Sequence, residues 1–491
     1  MSFERSIRSV CAAYGVALTA LSVLASGCMA VGKDYEAPRA NVPAAWQSEP
    51  GAGLAHGDTE LASWWRRLDD PLLDGLVERA TNQGLDLREA LSRVREARAL
   101  RGVAASERLP SLDATASYQR QGQSENTQFG GFLTDAGLYS AGIDATWELD
   151  VWGRVRRSVE AADADLEASV EDARAVAVMV AAETVLAYVE LRGFQTRLAI
   201  ARSNVQLQEQ TLLLVRARSD AGLVGERDVA QAATNVESTR SSVPQLEAGV
   251  RASANRLAVL LGQPPGALAA ELAEPRAIPV APLDVAVGVP ADLLRRRADV
   301  RRAERALAAE TARIGVAEGE LYPRFALTGN LGLSSEDASD FFESSSNTFG
   351  FGPSVRWNLF DAGRRRNRVA AQDERAEQAL VRWERAVLSA LEEAENAMSS
   401  FVYEQSRRTS LAAAVAQARL AAELAQTQYG EGITDFQTVL VSERALAELE
   451  DDLAQSDAAV ATYLVALYKA LGGGWEQMDA LARAGLAASQ P

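Results

Sequence analysis

The longest regular pattern of apolar positions in the chain lies between Arg154 and Asp220. This stretch has no proline and one glycine, and small or apolar residues recur at alternating steps of four and three, which is typical of a helix packed along its length against others. A helix of this extent measures roughly 100 Å, which is far too long for a globular core. The positions are Leu166, Val170, Ala173, Ala177, Val180, Thr184, Ala187 and Leu191.

The same pattern returns 210 residues later, from Ala376 to Phe401. The offset of 210 also relates Trp147 to Trp357 and Gly222 to Gly432, which flank the long helices. Two unrelated coiled coils would not keep one offset across helix, turn and tryptophan. The sequence therefore predicts two copies of one structural unit.

Four shorter segments alternate apolar and polar residues with a period of two, at 112–119, 139–147, 325–331 and 349–358. This predicts strands with one apolar and one polar face, each about as long as a tilted strand that crosses a bilayer. Four strands cannot close a barrel, and open edges in hydrocarbon leave backbone groups unpaired, so the chain must oligomerise to cross a membrane. Two copies give eight strands and three give twelve; a wide aqueous lumen favours the larger number.

Each half is predicted to run as short helix, two strands, long helix, turn and short helix. The short helices are expected at 72–107 and 226–261 and again at 292–321 and 435–471. The predicted segments are a signal peptide (1–27), a lipid anchor with an N-terminal mid-body segment (28–71), the first repeat (72–262), a proline-rich mid-body connector (263–290), the second repeat (291–472) and a C-terminal tail (473–491).

The N-terminus reads as a secretory signal, with two arginines, an apolar stretch and small residues before Cys28. The end of this segment is similar to a bacterial lipobox, so Cys28 is predicted to carry the acyl anchor. Leu24 lies four positions before Cys28, whereas three is usual. The alternative is an ordinary signal cleaved near Ala30, with no role for Cys28.

Composition excludes several kinds of chemistry. The chain has two cysteines, both at or before position 28, and one histidine, so we expect no disulfide, no metal site, no cofactor and no histidine-dependent catalysis. The net charge of −17 disfavours nucleic acid as a partner, because phosphate backbones are bound by basic patches.

Several motifs are similar to those of one known family. Residues 31–38 read VGKDYEAP, residues 148–154 and 358–364 form two similar strand-to-helix junctions, and residues 289–300 read VPADLLRRRADV. Together they resemble the TolC-like outer membrane factors, most closely the lipoprotein (NodT-type) branch, over essentially the whole mature chain. In the last motif Ala291 replaces the family's Ser and Ala298 its Pro.

The resemblance implies a mainly α-helical protein with a small transmembrane β part. It implies a homotrimer with a twelve-stranded β-barrel in the outer membrane, in contact with its lipid, and an α-helical barrel in the periplasm. Such a channel conducts substrates supplied by an inner-membrane RND-type pump through a periplasmic membrane-fusion adaptor. Because the pump supplies the energy, the channel is not expected to be an enzyme.

The two turns between antiparallel helices are then the predicted working sites. We expect the adaptor to contact them, because apolar side chains on an exposed turn otherwise cost solvation without a gain. The residues are Gly222, Leu223, Val224, Gly432, Ile433 and Thr434. The ordinary interpretation, in which the glycines only end helices, is compatible with this one.

Acidic residues lie beside both turns. One hypothesis is that copies of Asp435, together with Asp228, ring the periplasmic aperture and repel anions. The other is that they favour the positive end of a helix dipole. For the whole protein, the alternative to a channel is a lipid-anchored secreted coiled-coil protein of structural or adhesive function. The sequence does not identify a substrate.

Overall fold

The structure is a computed structural model that describes residues 30–47, 54–56, 61–122, 136–279 and 285–476. The predicted signal peptide, Cys28, most of the loop between the first two predicted membrane strands and most of the C-terminal tail lie outside the described residues.

Helices dominate the described part of the chain, which confirms the predicted mainly α-helical class. The helices are α1 (Pro71–Gln83), α2 (Leu85–Ser106), α3 (Arg154–Asp220), α4 (Glu226–Leu260), α5 (Pro290–Arg296), α6 (Ala298–Gly319), α7 (Arg364–Gly430) and α8 (Phe436–Ala470). The strands are β1 (Leu54–His56), β2 (Ser111–Gln121), β3 (Ala136–Leu149), β4 (Val285–Val287), β5 (Arg324–Ser335) and β6 (Asn347–Arg356).

The two long helices have the lengths that the apolar pattern predicts. Helices α3 and α7 each have 67 residues, and the returning helices α4 and α8 each have 35. Within each pair the helices start 210 residues apart. The prediction of one uninterrupted helix from Arg154 to Asp220 is confirmed.

The two short helices that precede the strands are each broken, which corrects the prediction of continuous helices over 72–107 and 292–321. The first break is at Gly84, where a Cβ would lie 2.4 Å from the carbonyl oxygen of Ala80. The second is at Arg297, whose extended backbone separates α5 from α6. At both positions ψ is extended, 137° at Gly84 and 118° at Arg297, and this ends a helix that the apolar pattern alone would continue.

The chain divides into two compact units. The first contains residues 30–38, 94–122, 136–169 and 303–383 of the described chain, and it holds the larger sheet. This sheet has the order β2-β3-β5-β6, and all neighbouring strands are antiparallel.

The register of the sheet collects the predicted apolar positions on one face. Along one row Ala114 is opposite Ile143, which is opposite Leu331, which is opposite Phe349. The adjacent row carries Asp113, Asp144 and Asn330, so polar residues occupy the other face. The period-two prediction is therefore confirmed for all four strands.

Two tryptophans anchor the ends of this sheet in the same way. The indole N–H of Trp147 donates to the carbonyl of Arg108 (3.0 Å), and that of Trp357 donates to the carbonyl of Leu321 (3.1 Å). Each carbonyl belongs to the segment just after α2 or α6. The indole of Trp152 stacks on Tyr322, with 4.8 Å between ring centroids.

The second unit contains residues 39–47, 54–56, 61–93, 170–279, 285–302 and 384–476 of the described chain. Its core includes Trp64 and Trp65, and Trp64 stacks on Tyr468 of α8 with 5.1 Å between centroids. Strands β1 and β4 pair in parallel, so the N-terminal segment lies beside the connector. Among the helices of the described chain, none has a stretch long and apolar enough to span a membrane.

Candidate functional site

The first predicted turn, after α3, is a helix end closed by a left-handed glycine. Gly222 has φ +72°, its N–H donates to Ser219 O (2.9 Å), and Leu223 N–H donates to Arg218 O (2.8 Å). This is the Schellman arrangement, which satisfies the last carbonyls of a helix and favours glycine because a Cβ is strained there.

The second turn, after α7, repeats this geometry. Gly432 has φ +76°, its N–H donates to Tyr429 O (3.0 Å), and Ile433 N–H donates to Gln428 O (2.8 Å). Both turns belong to the second unit. The sequence offset of 210 therefore extends to matching hydrogen bonds.

The residue after each glycine is apolar and exposed. In a Schellman motif this residue commonly packs back on the last helical turn, yet Leu223 is 67% exposed and Ile433 is 69% exposed. Val224 instead packs against the apolar cluster below the turns, and Thr434 bonds to the Thr438 hydroxyl (3.1 Å). Of the six predicted contact residues, four are thus exposed and two lie partly inside.

The apolar cluster below the turns draws on all four helices of the two hairpins. We call it the tip cluster; it consists of Val215, Ala232, Ala425, Tyr429, Phe436, Val439 and Leu440. It holds the two turns side by side, and so presents Leu223 and Ile433 on one rigid support.

Arg218 links the two turns directly. Its guanidinium donates to the backbone carbonyl of Tyr429 and lies over the Tyr429 ring, 4.6 Å from the centroid. Burial raises the pKa of the Tyr429 hydroxyl, with the nearby Asp228 carboxylate acting in the same direction and Arg218 against it. Sequence reasoning missed both residues, although a cation and an aromatic residue in the last turns of matched helices were the available signal.

The two predicted aperture residues have different surroundings. Asp435 is the N-cap of α8: its Oδ1 accepts from Thr438 N–H (3.0 Å) and from the Thr438 hydroxyl (2.8 Å), and these bonds lower the pKa of its carboxyl. Asp228 lies in the first turn of α4 and is largely covered. Both carboxylates lie at the start of a helix, where a negative charge is stabilising. This agrees with the helix-dipole hypothesis.

Known proteins resemble this chain over most of its length. Residues 76–263 and 289–473 match the family described as outer membrane efflux protein. Nodulation protein T of Rhizobium leguminosarum bv. trifolii is 31% identical over 465 residues, which cover 95% of this chain and 98% of that protein. The pyoverdine export outer membrane protein OpmQ of Pseudomonas aeruginosa is 31% identical over 425 residues, covering 85% and 88%.

A solved structure of the outer-membrane channel OprN is also similar. It is 39% identical, has a TM-score of 0.84 and covers 91% of this chain and 99% of that chain. Paired helical hairpins and a four-stranded sheet with one apolar face thus define an outer membrane channel. The chain belongs to the outer membrane efflux protein family, and its resemblance to the TolC-like factors is confirmed.

Proposed function

We propose that three copies of this chain form the outer membrane conduit of a tripartite efflux system. In this system an inner-membrane RND-type pump supplies substrates, and a periplasmic adaptor joins the pump to the conduit. The observation that carries the proposal is the sheet, because its apolar face requires lipid and its outer strands β2 and β6 each have one neighbour in the described chain.

The open edges explain why three copies are needed. In hydrocarbon an unpaired strand edge costs several kcal/mol for each backbone group. Pairing β2 of one copy with β6 of the next removes every edge, and three copies give twelve strands. A secreted coiled-coil protein would need neither the apolar face nor its register.

The turns of the hairpins are the proposed adaptor contacts. Leu223 and Ile433 are exposed apolar residues on a backbone that the Schellman bonds and the tip cluster hold in place. Apolar side chains on a backbone held in this way suit a helix-in-groove or hairpin-to-hairpin contact, since little backbone entropy is lost on docking.

A double variant tests these contacts. Leu223→Asp with Ile433→Asp should lower site-specific crosslinking to the cognate adaptor at least tenfold. In the docked complex, two desolvated carboxylates would replace two apolar side chains. Efflux should fall with the crosslinking. Trimers should still form, since both side chains are exposed and neither belongs to the tip cluster.

The matched control is Leu420→Asp, which places a carboxylate on an exposed leucine of α7 outside the turns. It should leave crosslinking unchanged. Full adaptor crosslinking in the double variant would refute the docking role of the turns, whereas equal losses in both proteins would indicate a general effect of charge.

Three further features complete the proposal. Cys28 carries a lipid anchor, which supplements the strands. Copies of Asp435, with Asp228, ring the periplasmic aperture and disfavour anions. The protein is a passive conduit without catalysis. The pump selects the substrate, which agrees with the different names of two equally similar relatives, a nodulation protein and a pyoverdine export protein.

A further inference from the structure

We propose that each chain holds one acyl chain of a membrane lipid in a groove between the β5–β6 loop and the apolar face of β2 and β3. The inference deepens the proposed function and rests on it, because the apolar face must lie in lipid. It adds a defined lipid site to a surface that would otherwise contact the bilayer without selectivity.

The groove is an open surface depression of about 450 Å³, a volume within the range of small-molecule sites. One wall consists of residues 116–118 and 139–141, and the other of Ala338, Phe341 and Phe342. In the register Ala116 is opposite Ala141 and Tyr118 is opposite Tyr139, so four neighbouring positions of the apolar face line it. The two alanines leave the space that larger side chains would fill.

The loop that forms the second wall is held by its own hydrogen bonds. The Ser335 hydroxyl donates to Asp337 O (2.8 Å), and the Ser346 hydroxyl donates to Asp340 O (2.7 Å). Glu343 N–H also donates to Asp340 O (3.0 Å). The groove is therefore preformed, and a ligand would not have to order this loop.

The loop carries an aromatic pair whose exposure to water is energetically unfavourable. The rings of Phe341 and Phe342 meet edge to face with 5.2 Å between centroids, and Phe342 is 86% exposed. The same loop carries four exposed carboxylates, which stay in water: Glu336, Asp337, Asp340 and Glu343. A segment with aromatic and charged groups side by side is typical of a membrane–water boundary.

The occupant follows from the continuity of the surface. Further along the same face lie Ile143, Leu331 and Phe349, all exposed and in one row of the sheet. The Tyr118 and Tyr139 rings, tilted against each other with 4.6 Å between centroids, mark the end of this apolar band, as aromatic girdles do in membrane barrels. A linear apolar chain that enters from the bilayer fits a groove that opens onto this band.

The experiment compares lipid retention by full-length trimers. Wild type, Ala141→Phe and Ala145→Phe are reconstituted into phosphatidylethanolamine vesicles, re-extracted in mild detergent and washed. Native mass spectrometry then counts the lipids that remain per trimer. Ala141 lines the groove, whereas Ala145 lies on the same face four residues along β3 and outside it.

We expect about three retained lipids per trimer in wild type and Ala145→Phe, and none in Ala141→Phe. Phe342→Ser, which removes part of the second wall without touching a strand, should also lose them. Equal retention in Ala141→Phe and Ala145→Phe would overturn the inference and indicate non-specific surface lipid. The same spectra report oligomeric state: absence of trimers in wild type would contradict the proposed function instead.

Discussion

Glu443 is a buried carboxyl with no cation among its described partners. It is 3% exposed in α8, and it accepts hydrogen bonds from the Thr211 hydroxyl of α3 (2.6 Å) and the Gln426 amide of α7 (2.9 Å). Burial raises the pKa of this carboxyl above its ordinary value of 4.5, and the two hydrogen bonds offset part of that rise. The ionised form is therefore costly in the folded state.

This residue predicts a pH-dependent gain on neutralisation. The stability that the protonated carboxyl contributes is complete below pH 4.5 and is lost as pH rises through the raised folded pKa. Glu443→Gln should thus raise Tm at pH 8 by about 1 °C, as expected for about 1 kcal/mol in a chain of 491 residues. At pH 4 the gain should vanish, because wild type is then neutral at this site too.

Thermal melting of the detergent-solubilised protein at both pH values measures this effect. Glu448→Gln, on an exposed position of the same helix, is the control and should change Tm at neither pH. A gain in Glu443→Gln of the same size at pH 4 and pH 8 would show that shape rather than charge is responsible.

At the scale of elements, the long helices were predictable because their apolar spacing persists over many turns, so that single substitutions do not obscure it. The breaks in the short helices were not, because each depends on a local contact. Gly84 ends α1 with an extended ψ of 137°, and a Cβ at this position would lie 2.4 Å from the Ala80 carbonyl oxygen. A glycine inside a helical pattern is the available signal, but many such glycines are simply tolerated.

The buried Arg297 side chain at the second break forms two ion pairs with partly exposed carboxylates. Its guanidinium lies 2.6 Å from Asp299 and 2.7 Å from Glu393, and it also reaches the Ala470 carbonyl. Ala298, where the resembling family has proline, is the first residue of α6. The side-chain contacts of Arg297 therefore hold the chain in a form that proline would also favour.

Restoring the proline should stabilise the protein. Arg297 has φ −68° and ψ 118°, which is the region that a residue before proline prefers. The first helical N–H has no partner within its own helix, so proline at that position loses no helical bond. Ala298→Pro should raise the free energy of unfolding by about 0.4 to 1 kcal/mol, because proline reduces the conformational entropy of the unfolded chain.

Chemical denaturation in detergent compares the variant with Ala303→Pro, which lies inside α6. The control should lose about 3 kcal/mol, because the ring clashes with the preceding turn and removes a helix bond. A lower stability in Ala298→Pro would mean that the ring does not fit beside the buried Arg297 side chain, contrary to the backbone argument.

The turns illustrate how far sequence reasoning reaches for a site. Duplication and glycine spacing located both turns, since a helix reversal leaves a local signal. The separate roles of Leu223 and Val224 depend on the tip cluster, and the link from Arg218 to Tyr429 joins residues 211 positions apart. The sequence shows a cation and an aromatic residue in the last turns of matched helices, but it does not show that they are in contact.

For the whole assembly, threefold symmetry multiplies each charge beside the turns. Three copies of Asp435 would place three carboxylates around one opening, and the hydrogen bonds from Thr438 lower the pKa of each, so that all are ionised at neutral pH. Rings of carboxylates favour cations over anions in a narrow pore. A monomer would show no such effect.

Asp435→Asn separates this role from helix capping. Asparagine caps a helix start about as well as aspartate, so Tm should change little, whereas the cation preference of single trimeric channels in planar bilayers should fall severalfold under a salt gradient. Asp373→Asn, an equal charge change on an exposed position of α7, should preserve the reversal potential. If both variants keep the wild-type reversal potential, then Asp435 acts only as the N-cap of α8 and does not form an acidic ring at the periplasmic entrance.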